Sequence, residues 1–211
     1  MFDFLVKNRV QIASLTAEHI WLVGTAMLIA IIVGVPLGIL ITRSERLRKP
    51  VLGSVNIIQT IPSLALFGFL LPLPWLGARA ERLAVAALAA YALLPIVRNT
   101  YTGILGIDPA VREAAVGMGL NPRQILWRVE LPLTAPFIFS GIRIATVTAI
   151  GVATIAAAVG AGGLGEFIFR GVAMVNNQLI LAGAVPAAAL ALLADVVLGL
   201  VERRLRYPRA Q

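Results

Sequence analysis

The segment EAAVGMGLNPRQILWRVELPL, residues 113–133, decides how the rest of the chain is read. It holds two acids (Glu113, Glu130), two arginines (Arg123, Arg128), an Asn-Pro step and a Leu-Pro step, and the sequence on both sides of it is oily. Just ahead of it, Asp108-Pro109 supplies an N-cap and a proline at the first helical position, where a missing N–H does no harm. The spacing predicts a helix from there to about Met118. Ala110, Val111, Ala114, Ala115 and Met118 fall on one face, and Arg112 and Glu113 on the other. Gly119 can take the left-handed conformation that ends a helix. Asn121-Pro122 starts a second one, with Gln124 three residues after the cap as in a capping box. Pro132 is expected to stop it. Two short polar helices between apolar blocks make a handle, held outside a membrane for a partner to grip. Its small alanine face lets another surface approach closely, and its charged edges give that contact a register.

The flanks are those of a membrane protein. The chain has 211 residues, 59% hydrophobic and 13% charged. A soluble domain carries about 25% charged residues. The mean hydropathy is +0.91, and the apolar residues come in blocks. A span needs about 20 apolar residues. Five blocks qualify, at 20–42, 51–74, 83–105, 134–159 and 179–201, forming one membrane domain over residues 1–211. The second block contains Asn56, Gln59, Thr60 and Pro62, so re-entry is open for it as well as crossing. Every block carries or abuts a proline: Pro36, Pro62, Pro95, Pro136 and Pro186. Ordinary bundle packing and helices bent around a transport path both account for these.

The absence of cysteine excludes disulfides, thiolate metal sites and a cysteine nucleophile, and a single histidine, His19, argues against zinc. The net charge of +8 lies mostly in the loops. The loops after the first and third blocks and the C-terminal tail hold 11 Lys and Arg, and the opposite side holds 5. By the positive-inside rule the richer side is cytoplasmic. This places the N-terminus outside, the C-terminus inside and the handle in the cytoplasm. The first apolar block begins near Ile20, is too long for a signal-peptide core and lacks a small-residue cleavage site, so no cleavable signal is expected. The two short helices resemble a DNA-reading helix-turn-helix in outline. Tethered to spans at both ends, the second helix would hardly reach a major groove, and no nucleic-acid partner is expected.

The handle resembles the EAA signature of permease subunits of bacterial ATP-binding cassette importers. That pattern is Glu-Ala-Ala, three residues, Gly, nine residues, an aliphatic position, one open position and Leu-Pro. Glu113, Ala114, Ala115, Gly119, Val129, Leu131 and Pro132 match it, with valine where isoleucine is commoner. NIIQTIPSLALFGFLLP, LLPIVRNTYTGI and GAGGLGEFIFRGV extend the resemblance over nearly the whole chain, toward the branch that imports glycine betaine, choline and carnitine. The resemblance implies an all-α polytopic protein of the bacterial inner membrane, with five transmembrane helices and a coupling loop, 108–132, between the third and fourth. Glu113, Ala114, Ala115, Gly119, Leu131 and Pro132 would dock into a cytoplasmic ATPase. The other implied partners are an extracytoplasmic binding protein, membrane lipid, and a second permease that is either the same chain or a relative.

Other features weigh less. GAGGLG, residues 160–165, fits a dinucleotide pattern, but it follows a membrane span instead of a strand and reads as a tight turn. Glu166 and Arg170 beyond it are either interfacial charges or docking contacts. Of the ionisable groups in spans, Arg98 can snorkel from the inner end, whereas Arg143 lies near the midplane and calls for a partner. Asp195 is the only acid within the five blocks, so an Arg143–Asp195 pair is expected. Asn56, Gln59, Ser63, Asn99, Thr146 and Thr148 are candidate pathway residues, and interhelical hydrogen bonding explains them about as well. Trp21, Trp75, Trp127, Tyr91, Tyr101 and Tyr207 look scattered, with no aromatic cage for a trimethylammonium group.

The chain has no G-x-x-x-x-G-K-[ST] phosphate loop, so no cofactor is expected on it, and ATP and Mg would bind the partner ATPase. A non-catalytic transport subunit is the reading that fits. The alternatives are an importer of the same architecture for methionine or an alkyl sulfonate, an ion-driven transporter, and a membrane enzyme. The ion-driven transporter would favour midplane carboxylates that this chain lacks, and the enzyme would need catalytic groups that are sparse here.

Overall fold

The computed structural model describes residues 8–205, and all of the regular structure in them is helical. Tyr207, and Lys7, Arg206 and Arg209 among the Lys and Arg counted above, lie outside the described residues. In chain order the helices are α1 (Arg9–Arg43), α2 (Glu45–Thr60), α3 (Ser63–Leu70), α4 (Ala80–Leu105), α5 (Pro109–Gly117), α6 (Pro122–Ile125), α7 (Leu131–Ala156), α8 (Gly165–Ala173) and α9 (Asn177–Leu205).

The centre is α4, lying between α1 and α7, with α9 on the far side of α7. Small residues make this possible: Ala26 and Ala30 on α1, Ala84, Ala87 and Ala92 on α4, and Ala145, Ala149 and Ala153 on α7 are all buried. Lipid is as apolar as leucine, so membrane helices associate through close backbone approach instead of apolar bulk. Leu22, Leu83, Leu88 and Ile96 fill the remaining space in the same core.

Four helices among the described residues are long and apolar enough to cross a membrane, and α2 with α3 makes a fifth when counted as one broken span. The first span differs from the expected 20–42, because α1 is helical from Arg9. The second is not straight: α2 and α3 meet at 105°. Pro62 disfavours helical backbone in the residue before it. Ile61 is accordingly extended, with φ −70° and ψ 127°. The break frees a carbonyl, and the Tyr91 hydroxyl on α4 donates to Ile61 O. The turned-back α3 buries Leu66 and Phe67 in the core. Pro36, Pro95, Pro136 and Pro186 instead lie inside continuous helices.

At the end of the bundle away from α5, the GAGGLG turn has positive φ at Gly160, Gly162 and Gly163. His19 and Glu18 on α1 hold it in place. Gly163 N donates to Glu18 Oε2 at 3.3 Å, and buried His19 Nε2 donates to Ile150 O on α7 at 3.1 Å. A Cβ on Gly163 would stand 3.1 Å from His19 Nδ1.

Candidate functional site

The handle forms from local sequence. Asp108 caps α5, its side chain accepting from Ala110 N at 2.9 Å. Gly119 follows the helix with φ +77°. Asn121 and Gln124 make both hydrogen bonds of the capping box, each 2.9 Å.

Pro132 does not stop the second helix. From Pro122 the chain stays helical through a wide turn, Leu126–Glu130, into α7. There Leu131 N donates to Leu126 O, five residues back. Pro132 has no N–H for the carbonyl of Arg128, and its ring would crowd that oxygen. The widened turn relieves the crowding and leaves the proline in the first turn of α7, where an N–H is not needed. The rear half of the handle and the fourth span are therefore one stiff rod, Pro122–Val159.

The predicted apolar face of α5 divides. Ala115 is buried and anchors the helix, while Val111 and Met118 face outward, Met118 at 73% exposure, as does Val116, outside the predicted face, at 62%. Trp127 is also exposed. Glu113 and Ala114 lie on the exposed surface, and Leu131 and Pro132 are half-buried at its root. The inner face carries Arg112, whose Nη2 donates to Ile104 O in the last turn of α4.

The position that the signature leaves open holds Glu130. Its side chain is 0% exposed. Arg43, the last residue of α1, donates to its Oε2, and Arg112 Nε lies 3.0 Å from its Oε1. The second contact is ionic, without the alignment of a hydrogen bond. Removing one partner from a buried ion pair typically costs about 3–5 kcal/mol. Sequence reading missed this cluster, since Arg43 and Glu130 are 87 residues apart.

Arg143 and Asp195 come together. Arg143 donates from Nε to Oδ1 at 2.6 Å and from Nη2 to Oδ2 at 2.8 Å, a two-pronged pair joining α7 to α9. Glu202, one helical stretch further along α9 and nearly buried, adds a weaker contact to Nη1 at 3.4 Å. That third member had no signal in the sequence beyond a seven-residue spacing from Asp195. Arg98 is exposed on α4.

Of the candidate pathway residues, two bond within their own helices. Asn99 Nδ2 donates to Pro95 O at 2.8 Å, and Thr146 Oγ1 to Ile142 O at 2.8 Å, each bonding its own helix. Asn56 and Thr148 are exposed, and Gln59 and Ser63 half-buried around the α2–α3 bend. The aromatic residues are less scattered than the sequence suggests. Trp21 and Trp75 line one groove of about 670 Å³ between α1 and α4, together with Arg79, Glu81 and Arg82. The 71–79 loop, folded over α1, brings them there. Among the described residues no cluster of His, Asp and Glu is fit to hold a metal.

Residues 34–207 match the family of binding-protein-dependent transport system inner membrane components. The chain belongs to that family. This permease is 43% identical over 203 residues to the choline transport system permease OpuBB of Bacillus subtilis, a match covering 96% of this chain and 92% of the relative. It is 45% identical over 197 residues, 92% of each chain, to the osmoprotectant import permease OsmW of Salmonella typhimurium. In fold it resembles a chain of the inward-facing MetNI methionine transporter, with a TM-score of 0.81 at 24% identity, covering 90% of this permease and 94% of that chain. It is a multi-pass inner-membrane transport subunit.

Proposed function

We propose that this permease forms the membrane path of an ATP-driven importer for quaternary-amine osmoprotectants of the glycine betaine, choline and carnitine type. The observation that carries the mechanism is the handle: a capped helix with an exposed apolar face, fused through the wide turn to α7. The relatives support the substrate class, since OpuBB is a choline permease and OsmW an osmoprotectant permease.

The path requires a second permease, either another copy or a relative. A cytoplasmic ATPase grips Glu113, Ala114, Ala115 and the outward side chains Val116 and Met118. ATP and Mg bind there, not on this chain. A binding protein delivers substrate at the other face, where the α8 region and the 71–79 loop lie. When the ATPases close, the handle is displaced, and the rod Pro122–Val159 tilts with it because a helix transmits displacement along its axis. Access switches only to the extent that the ATPase contacts differ between the two states.

Uptake tests this directly. The chain is co-expressed with its cognate ATPase and binding protein in a bacterium lacking its own systems, and supplied with labelled glycine betaine, choline, carnitine or methionine. Uptake of a quaternary amine, sharply lowered by Gly119→Val with the variant still in the membrane, is the expected result. Methionine uptake alone would overturn the substrate class and keep the mechanism. Undiminished uptake by the variant would overturn the role of the handle.

A further inference from the structure

Glu130 is a carboxylate buried at a place where burial is costly unless it is paired. It is paired twice, with cations from two different elements. Arg43 closes α1, and Arg112 lies on the inner face of α5. Arg112 also bonds the carbonyl of Ile104 at the end of α4, where a cation is favoured by the helix dipole. Glu130 itself sits at the root of α7. One carboxylate thus gathers α1, α4, α5 and α7 at the handle end of the bundle.

The four elements depend on this junction to different degrees. α7 is continuous with the handle and follows it without help. α4 is joined to α5 by the short link from Gly106 to Asp108. α1 has no such link. Among the described residues, the side-chain bond from its last turn to the 108–130 segment is the one Arg43 makes to Glu130. Ten residues in from its other end, α1 is pinned by His19 to Ile150 and by Glu18 to Gly163. From His19 to Arg43 is 24 residues, about 36 Å at 1.5 Å per residue. This length packs along α4, and at its handle end the Arg43–Glu130 bond adds a direct side-chain connection to the handle.

We propose that Glu130 is an ionic joint, a positioning residue through which displacement of the handle reaches α1 together with α4 and α7. Without it the handle still moves α7, α1 lags, and ATP is spent with less substrate moved. The proposal rests on the importer reading above.

The test uses the complete transporter, permease with ATPase and binding protein, in proteoliposomes. The quantity read is ATP hydrolysed per labelled glycine betaine taken up, beside the amount of assembled complex. Arg43→Gln leaves Glu130 paired with Arg112 and its own half-exposed site free to hydrate, so it folds even where Glu130→Gln fails to assemble. Arg43→Gln is expected to raise the ratio severalfold. Arg43→Lys, which keeps the charge, restores part of it, and Glu130→Gln matches Arg43→Gln wherever it assembles. A purely structural role lowers the amount of complex and leaves the ratio unchanged; an unchanged ratio in Arg43→Gln overturns the joint alone. Absence of uptake by the unaltered complex, with the binding protein loaded, would overturn the importer reading and the joint with it.

Discussion

An unpaired guanidinium at the centre of a membrane span costs about 3 kcal/mol or more. Arg143 is instead paired with two carboxylates of α9 of unequal weight. Because Glu202 adjoins the Arg203 and Arg204 of the last turn, the group sits toward that end of α9 and not at the midplane expected from the sequence. Asp195 takes both prongs at 2.6 and 2.8 Å, and Glu202 stands at 3.4 Å. Asp195→Asn and Arg143→Gln should each lower the amount of folded protein in the membrane, by detergent extraction and size exclusion. Exchanging the two charges should rescue only part of that loss, because an acid at position 143 would then face Glu202. Adding Glu202→Gln to the exchange should improve the rescue, and an exchange that recovers nothing in either background would rule out bracing by the pair. Gly119 offers a residue-scale test of another kind. A Cβ there meets open space, and the constraint is the left-handed backbone, φ +77°. That conformation costs a side chain about 1–2 kcal/mol, least for asparagine. Uptake should fall in the order Gly119, Gly119→Asn, Gly119→Ala, Gly119→Val. Equal uptake by Asn and Val variants would mean that the turn is not strained.

At the scale of elements, α5 has one side anchored and one side waiting. The chain lacks cysteine, so single cysteines report accessibility without background. Val116→Cys and Met118→Cys should react rapidly with a charged maleimide in inverted vesicles, and Ala115→Cys slowly, following their exposure. The ATPase, once bound, should protect Val116→Cys and Met118→Cys; equal labelling with and without it would place the docking face elsewhere. The two short helices were legible in the sequence because caps are local: Asp108, Gly119, Asn121 and Gln124 each act within three residues. The five apolar blocks were legible for the same reason, as runs of composition. The failures had two sources, an unforeseen helix geometry and contacts of long range. Pro132 reads as a stop only if the turn before it is an ordinary α-turn, and the wide turn at Leu126–Glu130 removes that premise. Glu130 looked like one more surface acid because its cations arrive from residue 43 and from the inner face of α5. Trp21 and Trp75 looked unrelated until the 71–79 loop set them in one groove.

For the molecule as a whole, the charge pattern and the fold give one axis. Arg43, Arg46, Arg48 and Lys49 lie at the junction of α1 and α2, beside Arg112, Arg123 and Arg128 of the handle, because Arg43 and Arg112 meet on Glu130. Arg203 and Arg204 close α9 in its last turn. Arg79 and Arg82 stand at the start of α4, whose 26 residues separate them from the handle by about 39 Å at 1.5 Å per residue, enough to cross a hydrocarbon core of about 30 Å. By the positive-inside rule, the end richer in Lys and Arg is the one we propose as cytoplasmic. Residues 78 and 123 are both exposed and lie near opposite ends. In intact spheroplasts an impermeant thiol reagent should label Ala78→Cys and spare Arg123→Cys, and in inverted vesicles the preference should reverse. Labelling of Arg123→Cys from outside would turn the whole permease over. The exposed face of α5 would then look away from cytoplasmic ATP, and the mechanism built on the handle would have no motor.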